Sequence, residues 1–325
     1  MKAIQIARTG GPDVLELRDL PTPTPASGQA LVRIEACGVN FIDTYLREGR
    51  YPAKLPYTLG QEAAGTIVSF GPDTQTNFKI GDRVAYVHIP GTYAEFGVAP
   101  VDRLIAVPDA ISSQQAAAAL LQGMTAHYLA YSTYAIQPGD EVLIHAGAGG
   151  VGLLLIQIAK RLGARIFTTV STQEKAALAR QSGADETILY TTEDFVARVK
   201  ELTGGKGLPV VYDSVGKTTF EGSLACLRPR GLMALFGGSS GAVPPFDLIR
   251  LSTMGSLYVT RPTMKDYIAT RGDLDQRAGD IFRWVADGTL KLRLEHTYPL
   301  ADAAQAHRDL EARKTTGKVL LIPAP

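Results

Sequence analysis

The sequence predicts an α/β fold, a doubly wound parallel sheet joined to a second, mainly β domain that the chain leaves and later re-enters. Three observations predict it. Beyond residue 140, short apolar runs alternate with helical stretches of about ten residues, the pattern of strands and crossover helices in a parallel sheet. Before residue 112 the chain is punctuated by glycine and proline, and its apolar residues alternate with polar ones, the pattern of half-buried strands. The last ~60 residues hold helices and one apolar strand that do not extend the alternation. They are therefore assigned back to the first domain. The expected boundaries are 1–123 plus 263–325 for the discontinuous β domain and 124–262 for the parallel sheet.

In the first domain, Lys2–Ile6 and residues 30–36 (ALVRIEA), 63–70 and 83–87 read as strands. Residues 10–13, 71–73 and 81–82 are turns. Pro21, Pro23 and Pro25 hold an extended segment, because proline fixes its own φ and restricts its predecessor. Ser112 and Ser113 cap an alanine-rich helix over 114–122, and a second helix is expected over 126–134. The parallel sheet follows, with strands at 141–145, Arg165–Val170, 187–189, 210–213, 232–236 and 255–259. Helices are expected at 151–162, 172–182 (ended by Gly183), 195–203 and 220–226. After Arg261-Pro262 come helices at 265–268 running on into 280–286, then 301–311, then a closing strand Val319–Ile322.

Composition narrows the functional classes. The 325 residues are 45% apolar, enough for a large core, and 33 basic residues against 32 acidic give a net charge of +1. No overall basic field or Lys/Arg run attracts nucleic acid. No run of about 18 apolar residues suits a membrane span, and the N-terminus lacks the apolar segment of a signal peptide. Two cysteines, Cys37 and Cys226, build neither a disulfide scaffold nor a four-cysteine zinc lobe. The expected location is cytoplasmic.

Gly147-Ala148-Gly149-Gly150-Val151-Gly152 fits GxGxxG. It follows the expected strand EVLIH and opens a helix, the context of a Rossmann dinucleotide site. Gly147 permits a tight turn, Gly149 a close backbone approach to pyrophosphate, and Gly152 close helix–sheet packing. Gly150 and Val151 lie at the helix N-terminus, where amides and the helix dipole hold an anion. An NAD site places a carboxylate at the end of the next strand. Here Ser171 stands there, with Lys175 following on the helix. A missing acid beside a cation points to NADPH.

The chain resembles the zinc-independent medium-chain dehydrogenases/reductases, specifically the quinone oxidoreductase group that includes zeta-crystallin. The resemblance runs over essentially the whole length. It is carried by GVNFIDTY (38–45), GQEAAG (60–65), the glycine loop, DSVG (213–216) and GSLYVTRP (255–262). It implies that the β domain is GroES-like and catalytic. Against the zinc-dependent branch, Asn40 stands for the ligand cysteine and Gln61 for the histidine; amides are poor zinc ligands, so no metal is expected. Glu62 is mainly structural by the same resemblance. An acceptor without a Lewis acid must already be electrophilic, such as a quinone or a conjugated enone.

The resemblance implies catalytic-site roles for Asn40, Tyr45 and Tyr51, the first two hydrogen-bonding the acceptor oxygen and Tyr51 stacking on it. Thr125 belongs near the nicotinamide. Ser171, Lys175 and Tyr190 surround the 2′-phosphate. Ser214, Phe236, Gly237 and Ser239 end strands on the cofactor side, Arg261 lies there too, and Lys318 reaches a cofactor phosphate. A homodimer through the sheet edges near 255–259 is expected. The leading function is NADPH-dependent quinone reduction. The alternatives are reduction of an enone double bond, with Tyr45 supplying a proton, and a crystallin-like protein that binds NADPH or RNA without turnover.

Overall fold

The protein is described by a computed structural model covering residues 1–324. Two compact units emerge, one of Met1–Met124 with the chain from Ile268 onward, the other Thr125–Tyr267. Tyr267 belongs with the second because its ring stacks on Tyr128, with centroids 4.2 Å apart, and its hydroxyl accepts from Thr133.

The first unit begins with β1 (Lys2–Ile6), β2 (Glu16–Asp19), β3 (Gln29–Val39), α1 (Phe41–Glu48), β4 (Tyr57–Thr58), β5 (Glu62–Phe70), β6 (Arg83–Val87), β7 (Phe96–Pro100) and β8 (Ile105–Ala106), and leads into α2 (Ser113–Tyr128). The second unit holds β9 (Glu141–Ile144), α3 (Gly150–Arg161), β10 (Arg165–Val170), α4 (Gln173–Gln181), β11 (Glu186–Leu189), α5 (Phe195–Leu202), β12 (Leu208–Asp213), α6 (Phe220–Ala225), β13 (Leu227–Leu235), α7 (Ile249–Thr253), β14 (Tyr258–Thr260) and α8 (Met264–Tyr267). The chain then returns to the first unit with α9 (Arg271–Ala286), β15 (His296–Pro299), α10 (Ala303–Glu311) and β16 (Val319–Ile322).

In the first unit the large sheet runs β15-β16-β3-β5-β6-β8, with β7 also on β3, and a small sheet runs β2-β1-β4. Alternation along β3 sends Ala30, Val32 and Ile34 into a core shared with Ile67, Val84 and Leu321. β16 pairs antiparallel with β3, Val319 opposite Val39. That register carries the last strand to the start of α1 and sets Lys318 beside Asn40. β5 pairs with the same strand, Cys37 opposite Ala63, which brings Glu62 alongside.

The six strands of the second unit are all parallel, in the order β11-β10-β9-β12-β13-β14. Numbered within the unit this is 3-2-1-4-5-6, the doubly wound order that binds a dinucleotide where the winding reverses, between β9 and β12. β14 is an open edge: Tyr258 is 60% exposed and Val259 37%.

One expectation is corrected here. Residues 114–134 do not form two helices. A single helix, α2, runs from Ser113 to Tyr128 and widens into a π-turn over Leu129–Thr133. Gly123 does not break the helix; it is a contact point, since a Cβ there would lie 3.0 Å from Ile281 Cγ2 on α9. The helix starts with a reciprocal cap: Gln115 N–H donates to Ser112 Oγ at 3.1 Å and Ser112 N–H to Gln115 Oε1 at 2.8 Å.

Candidate active site

In the first unit a buried polar cluster sits where β3 ends and α1 begins. Asn40, Glu62 and Lys318 are 4%, 0% and 3% exposed. The Lys318 ammonium is ion-paired to Glu62 Oε1 and donates to Asn40 Oδ1 at 3.0 Å. Asn40 Nδ2 donates to Glu62 Oε1 at 2.7 Å, and Glu62 Oε2 accepts the Leu121 N–H at 2.7 Å. Gln122 donates to Asn40 Oδ1 at 3.3 Å, and Asn40 Nδ2 also approaches Gly38 O at 3.4 Å. Gly38 has to be glycine, because a Cβ there would fall on Glu62 Oε1 and Lys318 Nζ.

Two expectations change. Lys318 does not extend toward a phosphate: its charge is buried and spent on Glu62 and Asn40, because the β16–β3 register delivers it there. Asn40 has both lone pairs and both N–H groups engaged, so it holds the cluster together instead of offering a donor to an acceptor molecule. Glu62, left out of the chemistry on sequence grounds, is the hub that three donors share.

Behind the cluster, α1 is anchored by a second buried chain. Asp43 Oδ2 accepts from Asn40 N–H and Tyr93 OH, both at 2.9 Å; Tyr93 OH lies 3.2 Å from His307 Nε2, and Arg47 Nη1 lies 3.1 Å from His307 Nδ1. Arg47 is also paired with Glu311 at 2.7 Å. Burial raises Asp43 to about 7 and, with Arg47 beside it, lowers His307 to about 3. On the outer turn of α1, Tyr45 is 6% exposed, with the Arg50 guanidinium 4.2 Å from its ring centroid; Tyr51, 39% exposed, meets that ring edge-on with centroids 5.6 Å apart. These contacts put Tyr45 and Tyr51 together.

In the second unit the glycine loop leaves β9 as expected, but the sharp turn is made by Ala146, at φ 55°, and not by Gly147. Gly147 is required for a different reason: a Cβ there would strike Thr168 Oγ1 on β10. Gly152 lies against Ala146 O, so the start of α3 packs tightly on the loop. Gly149 is the N-cap, its own N–H donated to Ala146 O at 2.9 Å, and Gly150 and Val151 open α3, leaving the amides of those two for an anion. Ser171 follows β10, half-buried. Lys175 lies in the first turn of α4, half-exposed, and Tyr190 follows β11, 38% exposed. The Tyr190 N–H donates to Val170 O at 3.2 Å, tying those strand ends together.

At the ends of β12 and β13, the loops carrying Ser214 and Ser239 are laced by Ser239 N–H to Ser214 O at 3.2 Å, and Gly237 has no room for a Cβ against Ser214. Arg261 donates to Leu235 O at 2.9 Å and Gly237 O at 2.6 Å, so it braces the loop holding Phe236 and Gly237. Thr125 is 7% exposed and bonds to Tyr128. Sequence reasoning missed the buried side chains beneath these loops, among them Thr169 and Ser223.

Two family models match: "Alcohol dehydrogenase GroES-like domain" over residues 26–109 and "Zinc-binding dehydrogenase" over 150–274. A quinone oxidoreductase of Pseudomonas aeruginosa is 49% identical over 324 residues, covering 99% of both chains. The crystal structure of Escherichia coli quinone oxidoreductase complexed with NADPH superposes with a TM-score of 0.97 at 46% identity, covering 99% of this chain and 100% of that one. A 2-haloacrylate reductase of Burkholderia is 41% identical, covering 99% of this chain and 98% of its own.

The second model's name raises a metal, and the donor set does not fit one. Asn40 and Gln61 are amides, Gln61 Nε2 donates to Tyr57 OH at 3.1 Å, and the Glu62 carboxylate is already neutralised by an ammonium. Among the described residues no three His, Cys, Asp or Glu side chains group as metal ligands. None of the described helices is long and apolar enough to cross a membrane.

Proposed function

The chain belongs to the quinone oxidoreductase family of medium-chain dehydrogenases/reductases, and from that premise we propose that it is an NADPH-dependent quinone reductase. The observation that carries the cofactor assignment is the end of β10: Ser171 and Lys175 stand where an NAD site places a carboxylate. The cradle above β9 fits a pyrophosphate, with glycines that cannot be enlarged and free amides at the α3 N-terminus. Bound NADPH supplies a hydride.

The chain's own residues do the rest. Amides of Gly150 and Val151 hold the pyrophosphate, which Gly149 lets approach closely, and Ser171, Lys175 and Tyr190 hold the 2′-phosphate. Thr125, Ser214, Phe236, Gly237, Ser239 and the bracing Arg261 shape the nicotinamide side. Tyr45 and Tyr51 receive the flat acceptor, and Tyr45 stabilises charge developing on its oxygen. Asn40, Glu62 and Lys318 fix the base of α1 on which Tyr45 stands. An acceptor that is electrophilic without a Lewis acid suits this donor set, and a quinone is one.

Lys175→Ala is expected to weaken NADPH binding about 10- to 150-fold, the worth of a charge-assisted contact of about 1.5–3 kcal/mol. NADH binding should be nearly unchanged. Titration of both coenzymes checks this, and equal losses for the two would remove Lys175 from the phosphate site.

A homodimer formed through β14 is part of this reading. Tyr258 and Val259 expose an apolar strand edge, and pairing with a second copy covers it. Light scattering at micromolar concentration should give twice the chain mass; a monomer would contradict the pairing. A cytoplasmic location suits two buried, unpaired cysteines. A second reading, reduction of an activated carbon–carbon double bond, is favoured by one observation, the 41% identity to a 2-haloacrylate reductase.

A further inference from the structure

Beneath the dinucleotide site lies a chain of buried hydrogen bonds that none of the roles above uses. Asp213, His145, Thr169 and Ser223 are 0%, 1%, 2% and 0% exposed. They come from the ends of β12, β9 and β10 and from α6. Ser223 Oγ donates to Asp213 Oδ2 at 2.7 Å. His145 Nε2 lies 3.0 Å from Ser223 Oγ, and His145 Nδ1 lies 2.9 Å from Thr169 Oγ1. Thr169 Oγ1 in turn accepts the Ala146 N–H at 3.3 Å. At the far end, Asp213 Oδ1 accepts the N–H groups of Val215 and Gly216 at 2.7 and 2.9 Å.

The direction of every link follows from the ends. The Asp213 carboxylate accepts only, so the Ser223 proton points to it and the Ser223 oxygen is left to accept from His145 Nε2–H. His145 Nδ1 then carries a lone pair and accepts the Thr169 hydroxyl proton. The Thr169 oxygen is left open to the Ala146 amide. One tautomer of one histidine makes the series continuous. Burial holds the imidazole below its usual range, with the Asp213 carboxylate opposing, so the neutral ring is favoured. Phe195 closes the site edge-on, with centroids 5.0 Å apart.

The two ends of the series are the two loops that matter. Ala146 is the positive-φ residue that turns the glycine loop, and its neighbour Gly147 donates to Thr169 O at 3.1 Å. Val215 and Gly216 form the loop after β12, and Asp213 O accepts the Phe236 N–H at 2.9 Å, extending the tie to the loop after β13. The series therefore crosses from β10 to β12 under the point where the winding reverses.

We propose that His145, fixed as its Nε2–H tautomer, is a positioning residue that holds the glycine loop in register with the loops after β12 and β13, so that they bind one dinucleotide as a unit. This rests on the reading that the second unit binds NADPH. In a series that acts as a unit, breaking any one link releases the register, and a second break costs little more.

The test is a double-mutant cycle on the full chain. NADPH affinity is measured by fluorescence titration for wild type, Thr169→Val, Ser223→Ala and the double variant. Each single change should raise Kd by about 5- to 20-fold, the cost of one buried link, and the double should fall within about threefold of either single. Losses that multiply, or singles that leave Kd unchanged, would overturn the proposal. Nitrogen-15 NMR of the cofactor-free wild type gives a second readout, independent of whether the Thr169 and Ser223 variants fold. The His145 signals, assigned by their loss in His145→Gln, should report a protonated Nε2 and an unprotonated Nδ1; the opposite tautomer overturns it. If the tautomer is as expected but wild type does not bind NADPH, the cofactor reading fails and the proposal falls with it.

Discussion

Lys318→Met is expected to destabilise the protein by about 3–5 kcal/mol, although it removes one side chain close to the C-terminus. The cost does not come from a lost surface ion pair, which would be worth at most about 1 kcal/mol. It comes from what stays behind. Glu62 is fully buried, and without the ammonium its carboxylate keeps only the Asn40 amide and the Leu121 N–H. A carboxylate stranded in that environment is poorly compensated. Replacing both partners, Lys318→Met with Glu62→Gln, should recover most of the loss, because the glutamine still accepts from Leu121 and no charge is left unpaired. Urea denaturation of the wild type and the two variants checks this. A single-variant cost below about 1 kcal/mol would mean that the pair is hydrated and that Asn40 is not held by it.

The same pair shows what sequence reading can and cannot reach. Asn40 stands out in the sequence because it replaces a zinc ligand, and Lys318 because it is basic near the C-terminus. The two lie 278 residues apart in the chain, and their meeting depends on a strand register, Val319 opposite Val39, that no local pattern encodes. Local chemistry was legible wherever it was the cause. The parallel sheet announced itself because buried strands and amphipathic helices alternate, and β10 and β16 fall at the expected residues. The glycine loop was found for the right motif, but its turn lies at Ala146 and Gly147 answers to Thr168 across the sheet. Gly123 is explained only in the fold: its lack of a side chain serves a neighbouring helix, which sequence places over 150 residues away. β7 and β15 escaped notice because Phe96–Pro100 and His296–Pro299 each end in proline and owe their pairing to the strands beside them. The hydrogen-bonded series through His145 was invisible as a whole, since each member reads as an ordinary core polar residue.

Tyr45→Phe is expected to slow quinone reduction by roughly 10- to 1000-fold, about 1.4–4 kcal/mol of transition-state stabilisation. The ring should stay in place, because the Arg50 guanidinium and the Tyr51 edge hold it and phenylalanine keeps both contacts. The loss would then report the hydroxyl alone. Turnover should persist, since a quinone needs orientation and hydrogen bonding more than a proton at the rate-limiting moment, and proximity to the reductant remains. Tyr51→Ala should mainly raise KM, as its exposed ring offers a stacking surface. An activated double bond sets a different requirement, because a proton must reach the carbon skeleton along with the hydride. If that is the reaction, Tyr45 is the acid, the wild-type rate profile with a conjugated enone carries a high-pH limb, and Tyr45→Phe abolishes that turnover. Rates of both variants with 1,4-benzoquinone and with 2-hexenal separate the two outcomes. A wild type that prefers the enone, together with a Tyr45→Phe variant dead toward it, would replace quinone reduction by double-bond reduction. Residual quinone turnover in Tyr45→Phe, with the quinone preferred by wild type, leaves Tyr45 as an oxygen-binding residue and the quinone as substrate.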